Sequence, residues 1–258
     1  MDLQLKDNLF CVTGATSGFG KAIAQLLIEE GAQVIINARK EDKLLAFQKQ
    51  YPEQVEVLIG DITTDAIIAN LFRMIGQRKL SGMVINAGGP PAMSFLESEL
   101  PDWDDAYKKV MRWKIKITKE VLDKMMPQSY GRIVFIESAS VKQPIENLVL
   151  SNSFRLGVVG FVKTLSQEIA DAGITLNVLA PGYHHTPAME RLFTKKSMLL
   201  GVSPEEAKSI FEKEIAVGKL GQAEDLASLA IWLLSSKSGY ITGQTISVDG
   251  GLIKGVLG

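Results

Sequence analysis

The chain has little of several residue types, and each shortage narrows what the protein can be. A single cysteine, Cys11, excludes a disulfide within the chain and is typical of a reducing compartment. The only two histidines, His184 and His185, are adjacent, so no His/Cys cluster has the spacing of a metal site and we expect none. No apolar run approaches the roughly 20 residues that a membrane-spanning helix requires. The N-terminus also lacks the pattern of a signal peptide, so we expect a cytoplasmic protein.

Excess charge of one sign is also missing, and so are the features that divide a chain into parts. The formal net charge is -1 and 22% of the residues are charged, which gives no basis for binding nucleic acid or an anionic membrane. There is no linker, low-complexity segment or repeat. With 258 residues, of which 46% are apolar, we expect one domain spanning residues 1–258.

Short apolar runs alternate with amphipathic stretches along nearly the whole sequence. Continuous apolar runs are typical of strands covered on both faces, and their alternation with helices indicates right-handed parallel crossovers. We therefore predict an α/β fold, a Rossmann-type doubly wound domain with a seven-stranded parallel sheet flanked by helices. The predicted strands are Leu9–Thr13, Gln33–Ala38, Val55–Ile59, Gly82–Asn86, Arg132–Glu137, Thr175–Ala180 and Gln244–Val248. The predicted helices include Lys21–Glu30, Asp65–Gln77, Trp103–Met126, Ser153–Ala172 and Ala223–Ser235.

One segment, about 187–217, has helical patterns but no strand. It carries several adaptable apolar side chains, namely Met189, Leu192, Phe193, Met198, Leu199 and Leu200. An insertion of this composition is typical of a helical lid that covers a substrate. A helical pair that simply packs on the sheet fits the pattern equally well, and both alternatives stay open.

A glycine-rich segment, Thr13–Gly20, lies directly between the first predicted strand and the first predicted helix. Glycines at this junction permit a tight turn and let a pyrophosphate approach the backbone. The following helix offers unpaired N–H groups and its positive dipole end to the phosphates. We therefore expect a dinucleotide-binding turn, with contacts from Gly14, Thr16, Ser17, Gly18, Phe19 and Gly20.

The order Thr-Gly-x-x-x-Gly-x-Gly in this turn resembles the short-chain dehydrogenase/reductase family, and further motifs of that family follow along almost the full chain. Thr242-Gly243 and Val248–Gly251 match its C-terminal strand. The resemblance implies an oxidoreductase with a nicotinamide cofactor. The cofactor contacts that it implies are Asp61 and Ile62 near the adenine, Asn86, Ala87 and Gly88 after the fourth strand, and Pro181, Gly182 and Thr186 near the nicotinamide.

The end of the second predicted strand distinguishes NAD from NADP. An acidic residue there accepts the ribose 2′-hydroxyl of NAD, whereas a basic one accommodates the 2′-phosphate of NADP. The resemblance to the family, through its spacing from Gly31-Ala32, implies that the selecting position is Ala38, which Arg39 and Lys40 follow directly. Because a guanidinium matches a phosphate dianion in charge and geometry, we predict that NADPH is preferred over NADH. The alternative is that Arg39 and Lys40 are solvated charges at the start of a helix.

The catalytic pattern of the family is not retained. The family uses a Tyr-x-x-x-Lys pair with a serine and usually an asparagine, and this sequence contains no Tyr-x-x-x-Lys. The resemblance places Ser151 at the tyrosine position, Arg155 at the lysine position, Ser138 at the serine and Val110 at the asparagine. It implies that Arg155 still contacts the nicotinamide ribose. An aliphatic hydroxyl is a far weaker acid than a phenol, and arginine does not release its proton, so the usual proton relay cannot operate unchanged.

Another proton donor is therefore needed if the protein is active. Tyr183 and His184 follow Pro181-Gly182 on the loop that in this family borders the nicotinamide and substrate. Histidine titrates near ~6.5 and is a ready acid at neutral pH. Our hypothesis is that Ser138 and Ser151 orient the substrate oxygen while His184 or Tyr183 supplies the proton. The alternative is that the histidine is exposed and has no role.

We expect an NADP(H)-dependent oxidoreductase that acts on a small-molecule carbonyl/alcohol substrate with atypical catalytic residues. The alternative is a catalytically silent NADP-binding regulatory or structural protein. Halohydrin dehalogenases resemble this family and have arginine at the lysine position, but they keep the tyrosine and replace the glycine-rich turn, the reverse of this chain.

We also expect a homodimer or homotetramer, formed through Trp103–Met126, Ser153–Ala172 and the C-terminal segment 252–257. Lys114 and Lys116 are expected on a solvated or subunit-facing stripe, with a contact to the substrate as the alternative.

Overall fold

The apolar runs of the chain form one parallel seven-stranded sheet. The computed structural model describes residues 1–256, with the exception of the Ala188 side chain. The strands are β1 (Leu9–Thr13), β2 (Gln33–Ala38), β3 (Val55–Ile59), β4 (Gly82–Ile85), β5 (Gly131–Ile136), β6 (Ile174–Pro181) and β7 (Thr245–Val248). Their order is β3-β2-β1-β4-β5-β6-β7, and every neighbouring pair is parallel. This confirms the predicted fold, and the chain reverses its direction of winding between β1 and β4.

Helices connect the strands and cover both faces of the sheet. The α-helices are α1 (Gly18–Glu29), α2 (Glu41–Gln50), α3 (Asp65–Ile75), α4 (Leu100–Ala106), α5 (Trp113–Met125), α6 (Val149–Glu168), α7 (Pro187–Leu200), α8 (Pro204–Glu214) and α9 (Ala223–Leu234). Within residues 1–256, none of them combines the length and the apolar character needed to cross a membrane.

Two hydrophobic cores lie on opposite faces of the sheet, as expected for strands covered by helices on both sides. One core packs α1 and α9 against the sheet, around residues such as Ile23, Leu27 and Leu226. The other packs α3, α5 and α6 around residues such as Trp113 and Ile133. Burying a single large apolar side chain contributes roughly 1.5–3 kcal/mol, so these two layers supply most of the stabilisation.

Residues 187–217 form the helices α7 and α8, with a small core of their own. Met189 and Phe193 are buried in it, together with Ile215 and Leu220. Four large apolar side chains of α7 are exposed, namely Leu192, Met198, Leu199 and Leu200. The segment therefore has helices and no strand, and it leaves these four apolar side chains exposed.

The helix predicted over Trp103–Met126 is interrupted. A six-residue π-helix, Tyr107–Arg112, separates α4 from α5 and contains Val110. A wider turn of this kind adds a residue locally and occurs often at functional sites. It was not predicted, because apolar spacing reports an average helical period and not a single wide turn.

Candidate active site

The glycine-rich turn is held in place by hydrogen bonds between the ends of β1 and β4. Thr13 Oγ1 donates to the Asn86 carbonyl oxygen at 2.7 Å and accepts from the Asn86 N–H at 2.8 Å. The Asn86 amide donates to the carbonyl oxygens of Thr13 and Gly14 at 3.3 and 3.4 Å. The turn therefore lies where the direction of winding reverses, which is where open α/β sheets bind ligands.

The backbone of this turn leaves no room for side chains at two of its glycines. Gly14 has φ +65°, and a Cβ there would lie 2.7 Å from Asn86 Nδ2. A Cβ on Gly20 would lie 2.4 Å from the Gly14 carbonyl oxygen. Among the described residues, no side chain caps the first turn of α1, although Ser17 occupies the capping position. Uncapped N–H groups beside bare glycine backbone fit the pyrophosphate of a dinucleotide.

The adenosine side of this cradle is open and basic. Ala38 is buried at the end of β2, while Arg39 and Lys40 are exposed. Within residues 1–256, neither of these two side chains forms an ion pair or a side-chain hydrogen bond. Asp61, two residues beyond β3, accepts hydrogen bonds from Thr63 N and Oγ1 at 3.0 and 2.8 Å. Asp61 is partly exposed beside the buried Ile62, so the predicted adenine contacts lie at the carboxyl edge of the sheet.

The loops after β4 and β6 border the turn from the other side. Ala87 and Gly88 continue from Asn86, and Pro181 and Gly182 end β6. Thr186 begins α7 as its capping residue, and a Cβ on Gly18 would lie 3.3 Å from Thr186 Cγ2. The structure thus brings Thr186 against the glycine-rich turn, although 168 positions separate the two in sequence.

Ser151 and Arg155 form a polar cluster on one face of α6. Both are buried, each 8% exposed, and Arg155 Nε donates to Ser151 Oγ at 3.1 Å. Arg155 Nη1 donates to Glu137 Oε2 at 2.8 Å and to the Glu137 carbonyl oxygen at 3.2 Å. Arg155 Nη2 is directed toward the loop after β4, where a Cβ on Gly89 would lie 3.1 Å from it.

Ser138 lies next to this cluster in sequence, directly after Glu137 at the end of β5. Its side chain is partly exposed, and its Oγ accepts from Ser140 N at 3.1 Å, which caps the short helix Ala139–Val141. A serine hydroxyl that accepts such a bond still has its own O–H to donate.

Lys114 belongs to the same cluster, so its predicted position on a solvated stripe is wrong. Its side chain is 2% exposed and forms an ion pair with Glu137 Oε1, while the Glu137 side chain is fully buried. Burial lowers the pKa of Lys114 to about 8, with Glu137 opposing this shift and Arg155 adding to it. Lys116, two residues later, is partly exposed and pairs with Asp65 at 3.5 Å, so it lies outside the cluster.

Tyr183 and His184 face other surroundings. Tyr183 Oη donates to Glu214 Oε2 at 3.1 Å, and burial together with Glu214 raises its pKa to about 12. His184 is buried edge-on against Phe19, with ring centroids 5.0 Å apart, and its Nδ1 lies 3.1 Å from the Gly182 carbonyl oxygen. Burial lowers the His184 pKa, which favours the neutral ring. Tyr183 is therefore a weaker acid than an ordinary tyrosine, and the neutral His184 ring has no imidazolium proton to donate.

Sequence reasoning missed Glu137 and misplaced Lys114, although both left a signal. Glu137 ends the apolar run Ile133–Ile136, and a carboxylate at the end of a buried strand needs a partner. Lys114 lies four residues after Val110 and three before Ile117, on the buried face of its helix. The pairing itself joins positions 23 apart, which spacing within either element cannot reveal.

The sheet order and the glycine-rich turn at its switch point define the class, a Rossmann-type α/β protein with a dinucleotide-binding turn. A family model described as enoyl-(acyl carrier protein) reductase matches residues 14–253. The chain belongs to the short-chain dehydrogenase/reductase family, which confirms the resemblance seen in its motifs.

Relatives of known name match over nearly their full length. The 3-oxoacyl-[acyl-carrier-protein] reductase FabG of Rickettsia bellii is 30% identical over 251 residues, covering 97% of this chain and 99% of that protein. FabG of Haemophilus influenzae is 31% identical over 250 residues, covering 96% and 99%. Among solved structures, the NADPH-dependent reductase YwfH of bacilysin biosynthesis has a TM-score of 0.92 at 27% identity, covering 97% and 100%. A variant of actinorhodin polyketide ketoreductase with NADPH has a TM-score of 0.87 at 30% identity, covering 95% and 97%.

Proposed function

We propose that this protein is an NADPH-dependent reductase of a small-molecule carbonyl compound, with Ser138, Ser151 and Arg155 in place of the family's usual set. The observation that carries the proposal is the hydrogen bond from Arg155 to Ser151, placed beside the loop that follows β4. The named relatives support the reaction type, since they are described as reductases of 3-oxoacyl groups or as NADPH-dependent reductases. The glycine-rich turn would hold NADPH, which would supply the hydride when bound.

Ser151 and Ser138 orient and polarise the substrate carbonyl. Because Ser151 Oγ accepts from Arg155 Nε, its own O–H remains available to donate to the substrate oxygen. Two hydroxyl donors and a nearby guanidinium stabilise the negative charge that develops on this oxygen, in the manner of an oxyanion hole. Full proton transfer from a phenol is then unnecessary during reduction, and water protonates the oxygen afterwards. The contacts of Tyr183 and His184 give less support to our earlier hypothesis that one of them donates the proton.

Arg39 and Lys40 select NADPH. Both side chains are exposed and without ion pairs inside residues 1–256, and Ala38 places no carboxylate at the ribose position. A doubly charged 2′-phosphate would give them the partner that they lack, whereas a free ribose hydroxyl would not.

The segment 187–217 covers the substrate. Its exposed Leu192, Met198 and Leu199 provide an apolar inner surface on closure. The pKa of Glu97 is lowered mainly by hydrogen bonds from Ser94, and the positive charge of Lys195 on α7 lowers it further. Because Glu97 belongs to the loop after β4, this interaction supports a mouth formed by the loop and α7. The substrate would then carry an apolar group next to its carbonyl.

The test is oxidation of NADPH, followed at saturating cofactor, with a panel of ketones and 3-oxoacyl thioesters. Ser151→Ala should lower kcat by roughly a hundredfold, as removal of one oxyanion donor does in other enzymes, with NADPH affinity unchanged. Ser153→Ala, an exposed serine on the same helix, is the matched control and should behave as wild type. If NADPH binds and no compound of the panel is reduced, the silent NADP-binding alternative replaces this proposal.

A further inference from the structure

Three charged side chains meet in the interior where α5, β5 and α6 pack together. Lys114 comes from α5, Glu137 from the end of β5 and Arg155 from α6. Their side chains are 2%, 0% and 9% exposed, so water screens them little. Two cations and one anion leave a net charge of one positive unit at this point.

Such an arrangement is expensive to bury and is not needed for packing. Buried ion pairs can be replaced by apolar side chains of similar volume with little loss of stability or with a gain. The cluster therefore calls for a reason other than stability, and its contact with Ser151 points to the reaction.

We propose that Lys114 and Glu137 are positioning residues for carbonyl reduction, with Glu137 orienting the Arg155 guanidinium and Lys114 keeping the cluster positively charged beside the substrate oxygen. The inference rests on the proposed function, because it requires the substrate oxygen to bind at Ser151.

Glu137 determines the direction of the guanidinium. It accepts from Arg155 Nη1 with both its side-chain Oε2 and its main-chain oxygen, while Ser151 accepts from Nε. These three bonds fix the plane of the guanidinium and leave Nη2 facing the loop after β4, next to Gly89. The planar guanidinium is thus held on two sides, and its free edge faces the loop after β4.

Lys114 determines the charge. Arg155 and Glu137 alone form a neutral pair, which would do little to stabilise an alkoxide. Lys114 pairs with the other oxygen of Glu137 and restores one positive charge. A unit charge in a poorly screened interior acts over many ångströms, so Lys114 affects the substrate oxygen without touching it.

The charge of the cluster should therefore change with pH. The titratable groups that interact with Lys114 are Glu137, at the end of β5, and Arg155, on α6. Burial lowers the pKa of Lys114 to about 8, so the cluster is positive below that pH and neutral above it. The rate of reduction should therefore decline as the pH rises through about 8.

The experiment compares Lys114→Met with the double variant Lys114→Met/Glu137→Gln. The single variant leaves the cluster neutral, whereas the double variant leaves Arg155 alone and restores one positive charge. The two readouts are kcat and the ratio of the Kd of NADP+ to that of NADPH. A positive cluster opposes the positively charged nicotinamide of NADP+, so this ratio reports the charge without turnover. Lys116→Met, on the same helix but outside the cluster, is the control.

Lys114→Met should lower kcat about tenfold and the Kd ratio about threefold. The double variant should recover kcat to within about threefold of wild type and return the Kd ratio to the wild-type value. In wild type the Kd ratio should fall as pH rises through about 8, and in the double variant it should not. This pH measurement on wild type needs no variant to fold.

The inference is overturned if the double variant is as impaired as Lys114→Met, or if the Kd ratio of wild type does not change with pH between about 7 and 9.5. In both cases wild type still binds the cofactor. Failure of wild type to bind either cofactor is a different result, because it overturns the proposed function itself.

Discussion

Replacing Gly20 with alanine tests the geometry of the glycine-rich turn at a single atom. The new Cβ would lie 2.4 Å from the Gly14 carbonyl oxygen, 2.8 Å from its carbon and 2.9 Å from Asn86 Nδ2. The partner atoms belong mainly to backbone, and hydrogen bonds that Asn86 donates to Thr13 and to the Gly14 carbonyl oxygen hold that backbone in place. The turn must therefore move by about an ångström, since ordinary contacts begin near 3.4 Å.

Two opposing effects set the size of the change in stability. Forcing a methyl group into a packed site costs roughly 1–3 kcal/mol, and replacing a helical glycine returns roughly 0.5–1 kcal/mol. The net loss of about 1–2 kcal/mol should lower Tm by roughly 2–8 °C for a domain of this size. NADPH binding should suffer more, by at least about tenfold, because the displaced atoms are those that face the pyrophosphate.

The assay is a fluorescence titration with NADPH, together with thermal unfolding without ligand. Gly160→Ala is the matched control, because Gly160 lies exposed on α6 with nothing within 4 Å of a Cβ. The control should gain roughly 0.5–1 kcal/mol from helix propensity and keep its NADPH affinity. If Gly20→Ala binds NADPH within twofold of wild type, the proposed cradle is not the binding site.

Three other substitutions give results that the structure specifies. Arg39→Ala should weaken NADPH binding about tenfold in direct titrations and leave NADH binding unchanged; equal loss for both cofactors would mean that Arg39 does not read the 2′-phosphate. Burial lowers the His184 pKa, so the unfolded chain binds more protons than the folded one as the pH falls through about 6.5. In urea titrations the free energy of unfolding of wild type should therefore decrease over this pH range more than that of His184→Gln, and parallel curves would contradict this. The Lys114 pKa is lowered from 10.5 to about 8, so unfolded chains bind the extra proton between these values. The free energy of unfolding of wild type should therefore rise with pH across that window, by up to about 3 kcal/mol relative to Lys114→Met/Glu137→Gln, and a flat difference would show that folding does not lower the Lys114 pKa.

The fold could be predicted from sequence because its signals are local and repeated. Most strands are largely apolar runs between polar turns, and β1, β2 and β3 match their predicted bounds residue for residue. The ends of later strands shift by one residue, as at β4, where Asn86 leaves the ladder to bond with Thr13. The π-helix at Tyr107–Arg112 was missed because one wide turn barely changes the apolar period.

Only the part of the candidate site that lies in one contiguous sequence motif could be predicted. The glycine-rich turn is contiguous, so its geometry follows from its own spacing. The cluster of Lys114, Glu137 and Arg155 joins three separate elements, and only the sheet order brings them together. The lid function of 187–217, the subunit contacts and the cytoplasmic location stay predictions, and Leu257 of the C-terminal segment 252–257 lies outside the described residues.

The most direct test of the account is thermal unfolding of the purified protein titrated with NADPH and, separately, with NADH. Ligand at about a hundred times its Kd stabilises a fold by roughly 2.7 kcal/mol, which corresponds to a rise in Tm of roughly 5–11 °C here. The account predicts that NADPH produces this rise at a lower concentration than NADH. No rise with either cofactor would contradict it, because the glycine-rich turn, Arg39 and Arg155 would then have no dinucleotide to bind.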